Sequence, residues 1–274
     1  MAFPVWLSII LLGLTAFAFH PWISCLWTRK DSSGISAYYV LFNLVAATEQ
    51  FTIIFFLLVN DNFGSELVVH NPPIIGDLIN LSHMALLWIL FLTVFALTLH
   101  YLPNDNRVHK YTAIAIYITF LLISVIPEFI DIIAGGPHDT SSDREFLLAW
   151  FIIPHITFVN PVVTLAIFIS FIIQIRRSLQ EDSPCLNFRT LATQAIVFAL
   201  LAISWLLRVS WPSSRIPAFF DSPLIEWYRQ IGWPAVDHFA FAISQAILCY
   251  VTWRRSIGRE DFLSGEREPL LNTA

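Results

Sequence analysis

The apolar stretch "WPAVDHFAFAISQAILCYVTWRR" (residues 233–255) predicts a membrane-spanning helix that carries a carboxylate. About 20 predominantly apolar residues are needed to cross a bilayer as a helix, and two arginines end this run. Asp237 lies near the start of the stretch, among apolar neighbours. Inserting an ionised aspartate at the centre of a membrane helix costs about 2.5–3.5 kcal/mol. Its position therefore favours a function or a specific partner for Asp237.

The composition extends this prediction to the whole chain. Of 274 residues, 57% are hydrophobic and 13% are charged, whereas about 25% of a soluble domain is charged. We therefore expect an all-α, multi-pass membrane protein whose partner is the lipid bilayer and not a nucleic acid. The predicted transmembrane domain covers residues 1–255, and its seven spans lie near 3–27, 36–60, 76–101, 111–134, 147–175, 190–211 and 233–253.

The distribution of basic residues predicts the orientation. Eleven of the fifteen lie after spans 1, 3, 5 and 7, namely Arg29, Lys30, Arg107, Lys110, Arg176, Arg177, Arg189, Arg254, Arg255, Arg259 and Arg267. The positive-inside rule then places the N-terminus in the lumen and the tail, residues 256–274, in the cytosol. The first span lacks the basic start of a signal peptide, so we expect it to remain as a helix. The endoplasmic reticulum is the expected membrane.

Two further expectations concern the connections between spans. Asp221, Ser222 and Pro223 form a helix start, and the alternating apolar and polar residues after them predict an interfacial helix over 221–231. The three cysteines lie in different segments without paired spacing, so neither a disulfide nor a thiolate metal site is expected.

Polar residues inside the predicted spans are the candidate site residues. Glu49 lies near the middle of span 2, and Asp237 lies about one turn inside span 7. Glu128 and Asp131 share one face of span 4 because they are three residues apart. No histidine stands beside them at metal-ligand spacing, so we expect neither a metal nor a cofactor. Intramembrane polar groups usually face the bundle interior or a wet cavity, and Asn43, His83 and Arg208 are the candidate supporting residues.

Two stretches resemble a known family of enzymes. The segment "LLRVSWPSSRIPAFFDSPLIEWYRQIGWPAVDHFAFAI" (206–243) and the segment "WTRKDSSGISAYYVLFNLVAATEQF" (27–51) are similar to fungal membrane-bound terpene cyclases, which include ascofuranone-type epoxide cyclases. The matching positions in the first segment are Arg208, Trp211, Pro212, Ser222, Pro223, Leu224, Trp227, Val236 and Asp237, and those in the second are Asn43 and Glu49.

The resemblance implies a cofactor-independent cyclase of meroterpenoid biosynthesis, an isomerase or lyase. Its substrate would be a lipophilic prenylated molecule whose epoxide is supplied by an upstream epoxidase. The family's two acidic positions fall on Glu49 and Asp237, with Trp211 among the supporting residues. Burial favours the neutral form of a carboxyl group, and an acid in that form can protonate an epoxide. Thr48 and His238 depart from the family pattern, so an epoxide hydrolase or a cyclic-ether-forming relative is an alternative.

A transporter is the alternative from a different class. The segment "FHPWISCLWTRKDSSGIS" (19–36) is similar to PQ-loop transporters, which also have seven spans, although the dipeptides here are His20-Pro21 and Asn160-Pro161. The tail segment "EREPLL" (266–271) fits a dileucine sorting signal of a vacuolar or lysosomal protein. A cyclase predicts that Glu49 and Asp237 converge on one aromatic-walled cavity. A transporter predicts that spans 1–3 and 5–7 form a structural repeat.

Overall fold

The computed structural model describes residues 3–60, 68–70, 72–102, 107–134, 142–181, 185–208 and 223–267. In these ranges the chain is all-helical. The α-helices are α1 Val5–Arg29, α2 Ala37–Val59, α3 Ile75–His100, α4 Arg107–Ser124, α5 Ile126–Ala134, α6 Ser142–Pro154, α7 Asn160–Gln180, α8 Phe188–Arg208, α9 Pro223–Trp227 and α10 Trp233–Arg267. Two π-helical segments, His155–Val159 and Tyr228–Gly232, join α6 to α7 and α9 to α10.

Seven helical segments are long and apolar enough to cross a bilayer, as the sequence predicts. They are span 1 Val5–Arg29, span 2 Ala37–Val59, span 3 Ile75–His100, span 4 Val108–Ile133, span 5 Arg144–Gln180, span 6 Phe188–Arg208 and span 7 Tyr228–Ile257. Most of the predicted span ends lie within a few residues of the ends in the structure. Span 5 is longer at both ends than predicted, and span 7 begins five residues earlier. The chain is thus an integral, multi-pass membrane protein.

Contacts between neighbours arrange six spans in a ring, in the order 1, 3, 2, 5, 7 and 6. We call spans 1–3 the first bundle and spans 5–7 the second. Span 3 packs against spans 1 and 2 in the first bundle, and span 7 packs against spans 5 and 6 in the second. The bundles meet where span 1 contacts span 6 and where span 2 contacts span 5, while span 4 packs on span 2. These contacts are symmetric when span 1 is exchanged with span 5, span 2 with span 6 and span 3 with span 7. The contact between spans 1 and 6, for example, then becomes the contact between spans 5 and 2. The contact of span 4 with span 2 is the exception. The packing therefore has the two-fold pattern of an internal repeat.

Both π-helical segments lie directly before a proline. Pro161 and Pro234 each stand two residues after such a segment ends. A proline inside a helix has no N–H for the carbonyl four residues earlier, and its ring clashes with that carbonyl. A wider π-turn before the proline accommodates both problems, and such turns are frequent at functional sites. The two segments also contact each other, so the irregular parts of spans 5 and 7 meet in the bundle interior.

The helix predicted over 221–231 is present from Pro223 and continues into span 7. Residues 221 and 222, its predicted N-cap, lie outside the described residues. From Pro223 the chain is helical through the π-turn Tyr228–Gly232 and on into Trp233. Gly232 permits this continuity, because a Cβ atom there would lie 2.5 Å from the ring of Trp227.

The expectation of no disulfide is wrong. Cys25, near the end of span 1, is bonded to Cys185, which precedes span 6, with 5.4 Å between their Cα atoms. The two residues are 160 positions apart in the chain, so only the folded arrangement brings them together. This disulfide ties the first bundle to the second. Cys249 is a free, buried cysteine.

The disulfide lies at the membrane face rich in basic residues, which we call the basic face. The connections after spans 1 and 5 meet there, since the Gly34 amide donates to Glu181 Oε2 at 3.1 Å and Arg255 donates to the Ser178 carbonyl. The positive-inside rule assigns this face to the cytosol, where disulfides are rare. The disulfide therefore indicates an oxidising compartment at this face, whereas the positive-inside rule indicates the reducing cytosol.

Thiol counting tests the disulfide. When cells are lysed in an alkylating agent, we expect one modified cysteine in the denatured chain, Cys249, and three after reduction. In a Cys25→Ser variant, Cys185 should become modified without reduction. Loss of the bond should lower the free energy of unfolding by about 2–4 kcal/mol. Three modified thiols in the unreduced wild type would contradict the bond.

Candidate functional site

Asp237 is held by hydrogen bonds from two other spans. Its side chain is buried. Gln50 Nε2 of span 2 donates to Oδ2 at 3.0 Å, and Thr164 Oγ1 of span 5 donates to Oδ1 at 2.5 Å. The hydroxyl of Tyr228 lies 2.6 Å from Thr164 Oγ1, so it extends the chain of hydrogen bonds. The carboxylate therefore joins span 7 of the second bundle to span 2 of the first.

Glu49 forms a second buried contact between the bundles. Its two carboxylate oxygens lie 2.8 and 3.0 Å from Nδ1 of His155, and the two side chains are 0% and 4% exposed. His155 is the first residue of the π-turn in span 5, just as Tyr228 is the first residue of the π-turn in span 7. Each π-turn thus contributes its first side chain to a buried acidic site.

The two acidic sites are adjacent. Glu49 and Gln50 are consecutive on span 2, so the same turn of this helix contributes to the site of Glu49 and to the site of Asp237. Glu49 interacts electrostatically with Asp237 and with Glu128 of span 4. We call Glu49, Glu128 and Asp237 the acid cluster. Neither carboxylate oxygen of Glu128 has a hydrogen-bond partner in the part of the chain that the structure describes. Three neighbouring charges of one sign in an apolar interior repel one another, which suits a cluster that holds protons.

A small cavity borders Asp237. Its volume is about 20 Å³, which is room for about one water molecule. The rings of Phe198 and Phe241, with centroids 4.2 Å apart, form one side, and Asn43 and Gln50 are on the wall. Pockets for small molecules usually measure about 300–1,000 Å³. The site is therefore closed in this form.

A basic cluster lies beside the acid cluster, between spans 3, 6 and 7. It consists of His83, Arg208 and His238, which interact electrostatically. Arg208 Nη1 donates to Asn80 Oδ1 at 2.7 Å. Its Nε and Nη2 are buried and have no hydrogen-bond partner among the residues that the structure describes, while the guanidinium stacks on the rings of Phe3 and Trp205. His83 Nδ1 and His238 Nε2 are also buried without a partner in the part of the chain that the structure describes. Because an unpaired buried polar group costs about 1–3 kcal/mol, a hydrogen-bonding group brought next to these atoms would be stabilised.

The other predicted site residues take separate positions. Asn43 donates to the Tyr39 carbonyl at 2.7 Å and to Ser170 Oγ at 3.2 Å, and it borders the cavity. Asp131 pairs with Arg144 of span 5 and also interacts electrostatically with Glu128 of the acid cluster. Trp211 lies outside the described residues.

Arg144 is a structural cation. It donates to both oxygens of Asp131, at 3.1 and 2.8 Å, and to Asn60 Oδ1 at 2.8 Å. Arg144→Met should lower the free energy of unfolding by about 2 kcal/mol, below the 3–5 kcal/mol of a fully buried pair because the Asp131 side chain is 22% exposed. Thermal unfolding in detergent measures this. Adding Asp131→Asn should restore most of the loss, and an unchanged midpoint in Arg144→Met would contradict the role.

Sequence reasoning found both acids and missed most of their partners. His155 stood out only as an isolated histidine of span 5, and Gln50 only as a polar residue next to Glu49. Nothing in the sequence distinguished Thr164 or Tyr228, because threonine and tyrosine are ordinary in membrane helices. The pairing of these residues depends on the approach of span 5 to spans 2 and 7.

The symmetric packing and the buried clusters are therefore known from the structure of this chain alone. Comparison with protein-family models, with curated proteins and with solved structures gives no match to it.

Proposed function

We propose that this protein is a proton-coupled carrier of a small polar solute, built from two three-helix bundles linked by span 4. The observation that supports it best is the two-fold pattern of contacts between spans 1–3 and spans 5–7. Carriers that open alternately to the two sides of a membrane commonly consist of such repeats, with the site at the repeat interface near mid-membrane. Glu49 and Asp237 lie at that interface here.

The acid cluster supports coupling to protons. Buried carboxyl and histidine side chains form the proton relays of pumps and transporters. Two pairs cross the bundle interface, Glu49 with His155 and Asp237 with Gln50, and each contains a side chain that can gain a proton. If the bundles separate on one side, these hydrogen bonds break and the carboxyl groups meet water. Protonation would then favour one arrangement of the bundles over the other.

The basic cluster supports a solute with an acidic group. Nε and Nη2 of Arg208 are buried and have no acceptor within the described ranges, and a guanidinium binds carboxylate or phosphate oxygens in a fork. The acid cluster beside it suits an ammonium group. A zwitterion of amino-acid size would satisfy both clusters once the closed cavity widens. The similarity to PQ-loop transporters and the dileucine segment favour a vacuolar or lysosomal membrane.

Uptake into proteoliposomes tests the proposal. The full-length chain is reconstituted in phosphatidylcholine vesicles and offered labelled amino acids, small dicarboxylates and sugars, with and without a pH gradient. We expect uptake of at least one charged solute, driven by the gradient and abolished by a protonophore. Protein-free vesicles are the control. Uptake no higher than theirs for every solute would contradict the proposal.

Epoxide-opening cyclisation is a second candidate, and one observation favours it. Two buried carboxyl groups lie within electrostatic reach of each other, and the rings of Phe198 and Phe241 stand beside Asp237. Aromatic faces attract a developing cation, and a buried acid could protonate the epoxide of a prenylated substrate. Such an enzyme would act in the endoplasmic reticulum after an epoxidase. The small cavity would have to open widely for this substrate.

Product analysis tests this candidate. Membranes with the protein are incubated with epoxidised prenyl-phenols, and the cyclised and hydrated products are measured. Turnover that falls about 10²–10⁴-fold in Asp237→Asn, the usual worth of general acid–base catalysis, would favour the enzyme over the carrier. If all the epoxides remain unchanged, the cyclase candidate is excluded.

A further inference from the structure

An open cavity near the basic face lies at the edge of the contact between spans 2 and 5, and no residue of the acid cluster lines it. Its volume is about 430 Å³, and it is bounded by the start of span 2, the end of span 5 and the connection between spans 3 and 4. Its wall is partly polar and partly apolar. The residues that matter for binding are Tyr38, Leu102, His109, Ile173, Arg176 and Arg177. Nothing in the carrier or cyclase proposals uses this cavity.

The polar part of the cavity is positively charged. Arg177 Nη2 is 2.8 Å from Glu181 Oε2, so its charge is partly balanced. Arg176 is exposed and has no carboxylate within salt-bridge distance in the described ranges. His109, which also lines the cavity, has its Nδ1 at 3.2 Å from the hydroxyl of Tyr38. An anionic group of phosphate size would meet Arg176 directly.

The apolar part of the cavity continues along span 5. Ile173 and Leu102 line the cavity itself. From there, Ile172, Ile169 and Leu165 follow at helical spacing toward the membrane centre, with 51%, 52% and 61% of their surface exposed. A charged end at the level of the helix termini and an apolar strip beneath it match the two parts of a phospholipid.

We propose that this cavity binds an anionic phospholipid, with its headgroup phosphate at Arg176 and Arg177 and an acyl chain along Ile173 and the strip on span 5. The cavity lies where spans 2 and 5 terminate, which is the depth of the headgroups outside a hydrocarbon core of about 30 Å. Arginine holds phosphate through paired N–H groups. Basic pockets between membrane helices commonly bind such headgroups. The lipid would bridge span 2 of the first bundle and span 5 of the second.

Binding to the purified full-length protein in neutral detergent tests the proposal. Dioctanoyl phosphatidylinositol 4-phosphate, dioctanoyl phosphatidylcholine and inorganic phosphate are titrated separately, and each Kd is measured. We expect the anionic lipid to bind at least tenfold more tightly than either other probe. Equal affinity for phosphatidylcholine would overturn the charge argument. Equal affinity for inorganic phosphate would overturn the lipid argument, because a free anion would then suffice.

Variants locate the site. Arg176→Gln should weaken binding of the anionic lipid about tenfold, and Ile173→Trp should do the same by filling the apolar part without changing the charge. Arg189→Gln is the matched control, because Arg189 is an exposed arginine at the start of span 6 that does not line the cavity. Thermal unfolding verifies that each variant is folded. Equal loss in Arg189→Gln, or unchanged binding in both cavity variants, would overturn the proposal.

Discussion

Replacing Asp237 with asparagine should lower gradient-driven uptake at least tenfold while the fold is retained. The asparagine oxygen can still accept from Thr164, and Gln50 can turn its amide to pair with the new amide group, so the contacts between spans 2, 5 and 7 persist. What is lost is the group that binds a proton. Initial rates of uptake in proteoliposomes at two pH gradients measure this, and thermal unfolding verifies the fold.

Asp31→Asn is the matched control for Asp237→Asn. Asp31 lies in the connection after span 1, where hydrogen bonds from the side chain and the backbone amide of Ser33 lower the pKa of its carboxyl group. It therefore stays ionised at neutral pH and takes no part in proton exchange. Uptake should be unchanged in this variant. Equal losses in the two variants would contradict a specific role for Asp237.

Glu49→Gln should separate solute exchange from proton coupling. Glutamine keeps a side-chain oxygen within reach of His155, so the contact between spans 2 and 5 remains, but this position can no longer carry a proton. We expect gradient-driven accumulation to fall at least tenfold, while exchange of labelled for unlabelled solute across the vesicle membrane continues. Parallel accumulation and counterflow assays measure the two activities.

Glu128→Gln is the comparison for Glu49→Gln. Glu128 belongs to the acid cluster but sits on span 4, which packs on span 2 and lies outside both three-helix bundles. Its replacement should affect accumulation less than Glu49→Gln does. Accumulation that survives in Glu49→Gln and fails only in Glu128→Gln would place the coupling acid elsewhere than we propose.

The sequence predicted the features that depend on the bilayer. Seven spans follow from runs of apolar residues, and all seven are confirmed. Glu49 and Asp237 stood out because a carboxyl group inside such a run is costly, and the structure buries both. The resemblance to terpene cyclases, the lumenal N-terminus and the roles of the two acids stay predictions.

The features that sequence reasoning missed depend on contacts between distant segments. The Cys25–Cys185 bond joins segments 160 residues apart, so spacing gave no sign of it. A proline such as Pro234 usually interrupts the hydrogen bonds of a helix. The π-turn before it keeps span 7 helical and brings Tyr228 to Thr164. The same device in span 5 brings His155 to Glu49. An Asn-Pro or Trp-Pro pair within an apolar run is the signal that could have indicated these turns.

Electrical recording on a solid-supported membrane tests the carrier most directly, because it needs no knowledge of the solute. Vesicles that contain the protein receive a step from pH 7.5 to about pH 6 without solute, and the transient current is recorded. We predict a current from proton entry into the acid cluster, strongly reduced in Asp237→Asn and unchanged in Asp31→Asn. No current above that of protein-free vesicles, or equal currents in all three proteins, would contradict the account.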